Sequence, residues 1–221
     1  MLKTKVISSL AISISTFLLY GQCVFAVTQA DVVINEIAWM GTTNSSYDEW
    51  FELRNTTNSS IALNNWTLKS TDGTPNITLV GSIPANGFFL LERTDDTSVP
   101  SVSADQIYTG AMGNAGENME LRDASGTLID SVDTWHAGNN STKTTMERID
   151  PWQEGPLASN WDNATTSYGV GNGTPGAENS VYNGSVACNY PSTLEVTAIN
   201  IGQGDATLIA TPSRLMLADV G

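Results

Sequence analysis

At 221 residues the chain can hold one ordinary domain and an appendage. Acidic residues outnumber basic ones 23 to 9, and the net charge of −14 repels polyanions, which disfavours non-specific nucleic-acid binding. Charged residues are only 14 % of the chain while Gly, Asn, Ser and Thr are abundant, a composition suited to short strands joined by many turns.

The N-terminus predicts export. Lys3 and Lys5 form a positive start, Val6 to Tyr20 is mostly apolar, and Val24-Phe25-Ala26 offers small residues for cleavage, so residues 1–26 read as a signal peptide cut after Ala26. An uncleaved anchor and a lipoprotein built on Cys23 are the alternatives. The apolar run is short for a membrane span, and Gln22 is a poor residue before a lipidated cysteine. Cleavage removes two lysines and no acid, leaving 7 basic against 23 acidic residues and a charge of −16. Cys188 would then be the one remaining cysteine, so neither an intramolecular disulfide nor a multi-cysteine zinc site can form.

Val32 to Leu68 reads as three consecutive strands of an antiparallel meander, separated by Asn44-Ser45-Ser46 and by Asn55 to Ser60, whose side chains favour turns. The period of two places Val33, Ile37 and Trp39 on one face of the first strand and Ile34, Glu36 and Ala38 on the other. In the second strand Phe51 and Leu53 oppose Trp50, Glu52 and Arg54. Asp72-Gly73 predicts a hairpin turn into a short strand from Asn76 to Val80. Phe88 to Glu92 is apolar enough to be covered on both faces. Ile107 to Thr109 is a further short strand. The hairpin with the clearest alternation joins Met119–Asp123 to Leu128–Asp133 through Ala124-Ser125-Gly126-Thr127.

These motifs in this order resemble the lamin-tail domain. The Asn-Glu-Ile strand at 35–37, Asp-Glu-Trp-Phe-Glu-Leu at 48–53, Leu-Asn-Asn-Trp-Thr-Leu at 63–68, the Met-Glu-Arg strand at 146–148, Trp161 and the Thr-Pro-Gly-Ala motif at 174–177 carry the likeness. It extends from Val32 to Asn179 and implies an all-β, immunoglobulin-like β-sandwich over residues 27–179. The family is defined by fold rather than by activity, so the implied role is a non-catalytic interaction or targeting module. Its ligand would be an unknown protein, glycan or envelope component.

Residues 180–193 lack periodicity and read as a linker. Leu194–Ile201, Ala206–Ala210 and Leu215–Ala218 then form a partial β-hairpin segment, residues 194–221, too short to bury a core alone. With its Gly202-Gln203-Gly204-Asp205 turn it resembles the truncated start of a metallo-β-lactamase-fold domain of the kind attached to DNA-uptake channel proteins. The resemblance implies the alternative function: the N-terminal part of a secreted metal-dependent hydrolase, a phosphodiesterase or nuclease, whose His-x-His-x-Asp-His motif would follow Gly221. Asp205 and Asp219 match the partial pattern without forming that motif.

No residue is assigned to catalysis, to a cofactor or to a metal. Hydrolytic zinc needs several converging imidazole and carboxylate ligands, and His136 is the chain's single histidine. No Gly-x-Ser-x-Gly elbow accompanies it. Asp48, Glu49 and Glu52 are expected on a solvated strand face rather than in a glycosidase-like pair. Calcium donors could come from Asp95 with Asp96, or from Asp123 with Asp130 and Asp133, without any fixed spacing. Trp39, Trp50, Trp66, Trp135, Trp152 and Trp161 are expected mainly to pack between sheets, with glycan stacking as the alternative. Asn44 and Asn76 lie in sequons that matter only in a eukaryotic secretory pathway.

Overall fold

The structure, a computed structural model, describes residues 31–182 in full and, beyond them, the backbone of three strands at 195–200, 205–210 and 215–219. The expected signal peptide, Cys23, Cys188 and most of the expected linker lie outside the described residues. In chain order the strands are β1 (Val32–Ala38), β2 (Trp50–Asn55), β3 (Ile61–Ala62), β4 (Thr67–Ser70), β5 (Asn76–Thr78), β6 (Ser82–Ile83), β7 (Phe88–Arg93), β8 (Gln106–Tyr108), β9 (Met119–Arg122), β10 (Leu128–Val132), β11 (Met146–Arg148) and β12 (Trp161–Asn163). The fold is all-β; among the described residues the one helical piece is a single 3₁₀ turn, Ala158–Asn160.

Two sheets form the sandwich. One runs β12-β11-β1-β2-β7-β8, antiparallel except for the parallel β7–β8 pair; the other runs β10-β9-β4-β5. A two-stranded ribbon, β3–β6, lies beside them. The apolar cluster between the sheets includes Ile34, Ile37, Phe51, Leu53, Phe89 and Leu91 from the first, and Leu68, Ile77, Met119, Leu121, Ile129 and Val132 from the second. Strands β13 (Glu195–Asn200), β14 (Asp205–Ala210) and β15 (Leu215–Asp219) make a three-stranded antiparallel sheet of their own, at nearly the positions expected from sequence.

The meander is corrected. β1 and β2 pair as expected, but the strand at Leu68 crosses to the second sheet, and the place beside β2 is taken by β7. Turn chemistry marks where a strand stops, whereas the sheet it joins depends on which partner buries its apolar face. Leu68 is apolar on the face that meets Leu121 and Ile77, so it completes the second layer.

The face assignment of β1 is corrected as well. A bulge lies between Ile34 and Glu36, so Val32 and Ile34 share the core with Ile37 and Trp39. One extra residue shifts the parity of everything after it. Glu36 and Ala38 are thereby turned to the opposite face, beside Glu52 and Trp50. The expected hairpins β4–β5 and β9–β10 are present, and Phe89, Leu90, Leu91 and Glu92 are buried on both sides.

That second burial has a simple source. The outer face of the six-stranded sheet is covered by the loop after β7, whose Val99 packs with Ala38, Trp50 and Leu90, and by the segment after β12, whose Tyr168 meets Trp50 edge-on at 5.8 Å.

Candidate functional site

The outer face carries the arrangement that sequence periodicity conceals. Glu147 of β11, Glu36 of β1 and Glu52 of β2 are directly opposed across neighbouring strands, and Asp162 of β12 continues the line beside Glu147. Opposed side chains of this kind have Cβ atoms about 4.5–5.5 Å apart. The three glutamates are wholly buried, while Asp162 is exposed.

Residues 173–181 lie across this row as a strap without regular structure. Thr174 donates its backbone N–H to Glu36 Oε1 at 3.1 Å, and its hydroxyl lies 2.8 Å from Glu147 Oε1. Gly176 donates its N–H to Glu52 Oε2 at 2.5 Å. The Ser180 hydroxyl donates to Glu147 Oε2 at 2.7 Å, and the Val181 N–H reaches the same oxygen at 3.1 Å. From the sheet itself, Thr145 donates to Glu36 and the Asn35 amide to Glu52. Gly173 has no room for a side chain, since a Cβ there would stand 2.6 Å from Glu36 Oε1.

Burial penalises the charged form of each carboxyl. Glu52 is pushed up to about 8, chiefly by burial and further by the Glu147 charge, against the hydrogen bonds it accepts. Glu36 is held well above the usual carboxylate range by burial and by Glu52 and Glu147. No catalytic position results, because the carboxyls are enclosed and their oxygens accept bonds from the strap and the sheet rather than facing a cleft.

Two further devices fasten the surroundings. Asn179, buried, donates to the carbonyls of Asn35 at 3.0 Å and Arg148 at 2.8 Å, and so ties the strap to the β1 bulge. Arg54 forms a bidentate pair with Glu178, with Nη2 donating to Oε2 at 3.0 Å, and its guanidinium lies 5.3 Å from the Tyr182 ring, 5.7 Å from Phe88 and 6.0 Å from Trp152. On the core side, Arg148 Nη1 donates to Asp130 Oδ2 at 2.6 Å and to the Ile34 carbonyl at 3.0 Å. Asp130 also accepts the Ile34 N–H at 2.8 Å. The bulge is therefore held by side chains from β10, β11 and the strap.

The expected solvated face at Asp48, Glu49 and Glu52 is a correction. Glu52 is buried under the strap; Glu49 is buried, accepting from Arg93 at 3.0 Å and from the Met112 N–H at 2.7 Å; Asp48 is half-buried and accepts the Thr42 hydroxyl. Alternation gives solvent exposure only when one face of the sheet is bare, and here both are covered. Glu36 and Glu147 were missed for the same reason. A signal for them was present: acids placed inside otherwise apolar strands, followed by a Thr-Pro-Gly segment rich in backbone donors.

The other singled-out residues are dispersed. His136 Nε2 lies 2.8 Å from Asp133 Oδ1. Asp95 accepts from the Thr97 hydroxyl and Asp96 from the Ala104 N–H, while Asp123 accepts N–H bonds from Ser125 and Thr127 to close its turn. Asp130 is engaged by Arg148, so Asp123, Asp130 and Asp133 do not converge. Among the described residues no group of three or more His, Cys, Asp or Glu side chains is placed to hold a metal ion. Trp39, Trp50, Trp66 and Trp161 are buried and Trp135 packs on the core edge, whereas Trp152 is exposed. Asn44 and Asn76 are exposed. Asp205 begins β14 and Asp219 ends β15.

Among the described residues no helix is long and apolar enough to cross a membrane. A search of the curated proteins finds no match to the chain. The family model of the lamin tail domain matches residues 26–136, half of the chain, which takes in β1 to β10. β11, β12 and the strap follow that match and complete the same sandwich. On the match and the two-layered sheet, the chain belongs to the lamin tail domain family.

Proposed function

We propose that the protein is an exported, non-catalytic interaction module whose partner presents a cationic surface. The observation that carries this reading is the disposition of charge. Between residues 31 and 182 every lysine and arginine is buried or half-buried, while Asp72, Asp95, Asp96, Asp133, Glu154 and Asp162 are exposed. Arg54, Arg93, Arg122 and Arg148 are paired with Glu178, Glu49, Glu120 and Asp130. The outward field is left to carboxylates. Such a field speeds encounter with a positive surface and repels phosphate backbones. Export rests on the Lys3–Ala26 pattern and predicts Val27 as the first residue of the mature chain.

The test is binding at low and high salt. A lysine-rich peptide is expected to bind the purified mature chain at about 50 mM salt, with affinity falling steeply towards 0.5 M, and duplex DNA is expected not to bind. DNA binding, or no salt dependence, would sink the reading. N-terminal sequencing of the exported protein checks the cleavage site separately.

The alternative, a metal-dependent hydrolase carrying this sandwich as an accessory domain, is favoured by one observation: β13, β14 and β15 form a consecutive antiparallel sheet after the Ser180–Thr193 stretch. Its assignment to the metallo-β-lactamase fold rests on the Gly202-Gln203-Gly204-Asp205 resemblance. Codons beyond Gly221 decide it, since the reading requires a His-x-His-x-Asp-His motif there.

A further inference from the structure

We propose that the strap, residues 173–181, is a pH-operated latch: it stays seated while the buried Glu36 and Glu52 beneath it retain protons, and lifts from the sheet when they ionise. The latch stands independently of what the module binds.

Three carboxyls are opposed on adjacent strands, wholly buried, and no lysine or arginine lies within the row. The groups facing it can be named from every side. β2 adds Arg54, which is committed to Glu178 of the strap; β7 adds Glu92, which accepts the Ser98 N–H; β12 adds Asp162; and the segment before the strap adds Tyr168 against Trp50. Among these described residues Arg54 is thus the one cation beside a face otherwise lined by acids. Charges that close, removed from water, cannot all be present together without repulsion.

Opening the strap would return the glutamates to water, where their pKa is near the ordinary value of about 4.3. Seated, Glu52 titrates at about 8, with burial the main cause, and Glu36 is also raised. The seated state therefore binds more protons than the open one. Its advantage is complete below the ordinary carboxylate pKa and is lost as pH rises through about 8. The hydrogen bonds that Gly176 and Asn35 donate to Glu52 favour its ionised form, but burial outweighs them.

The two ends of the strap differ in their response. Glu178 is fastened to the Arg54 guanidinium, whereas Thr174 and Gly176 donate directly to Glu36 and Glu52. Opening is expected to begin at Thr174 and Gly176. It would uncover Glu147, Glu36 and Glu52, which with the already exposed Asp162 make a line of carboxylates across β11, β1, β2 and β12.

The experiment is hydrogen exchange on the full mature chain at pH 6 and pH 9, with labelling times scaled for base-catalysed chemical exchange. The latch predicts that protection of peptides covering 173–182 falls at least tenfold at pH 9 while β4 and β9 keep theirs. Glu52→Gln and Glu36→Gln should flatten that pH dependence, and Thr174→Val should move opening to lower pH. Equal strap protection at both pH values in the wild-type chain would overturn the proposal, as would simultaneous loss in β4 and β9. If a Gln variant folds and retains the wild-type pH dependence, the row is not the titrating element and the proposal fails.

Discussion

Arg148 and Asp130 show how a single buried pair sets local geometry. The guanidinium is almost fully enclosed, stacked 5.5 Å from the Trp161 ring, and its two terminal nitrogens serve Asp130, the Ile34 carbonyl and the Gln153 carbonyl. Removing the acid leaves that charge without its counterion. Asp130→Ala is therefore expected to destabilise the fold by about 3–5 kcal/mol, read as a lower urea midpoint. A loss below 1 kcal/mol would show that Arg148 finds another partner. At Asn179 the effect is smaller in kind: alanine leaves the Asn35 and Arg148 carbonyls unpaired, at about 1–3 kcal/mol for each buried group.

Among elements, the β1 bulge matters most to the face of the sheet. Because it shifts the parity after Ile34, Glu36 leaves the core and joins Glu52 and Glu147. The strap then supplies donors where a solvated strand would have water. Its fit is tight at Gly173, where an added Cβ meets Glu36 and Thr145. Gly173→Ala is expected to weaken the strap rather than the sandwich: proteolytic cleavage near 173–182 should accelerate while the melting transition of the sheets moves by only a few degrees. Equal acceleration throughout the chain would contradict that localisation. The second sheet was easier to anticipate, because β9 and β10 alternate cleanly around the Ala124–Thr127 turn and Asp123 closes that turn through its own side chain.

At the scale of the whole molecule, three buried acids give the pH dependence its sign. Glu49 and Glu92 are pushed up to about 7 and Glu52 to about 8, each chiefly by burial. Raised carboxyl pKa values in the folded chain mean that folding takes up protons, so stability declines as pH climbs from about 5 to about 9. Urea midpoints at pH 5.5 and pH 9 should show the higher value at pH 5.5, with a smaller difference in Glu52→Gln. A second prediction follows from topology. The family match ends at His136, yet β11 lies beside β1, and β12 and the strap complete the sheet beyond it. A chain cut after His136 is expected to show no cooperative thermal transition, while residues 27–182 melt cooperatively. Cooperative melting of the shorter chain would show that the outer strands are dispensable.

The amino-acid sequence by itself determined the all-β class, most strand positions, the two hairpins β4–β5 and β9–β10, and the membership that the ordered motifs from Asn35 to Ala177 express. These are local properties: alternation, turn residues and short motifs are written into neighbouring positions. Tertiary structure decided which sheet received the strand at Leu68, which face Ile34 occupies, and whether Glu52 meets water. Each depends on partners far along the chain, Leu121 for Leu68, Asp130 for Ile34 and Gly176 for Glu52. Period-two alternation identifies two faces but cannot say that both are covered. Burial of the second face is a property of the strap's path, and that path exists only once the sheet has formed.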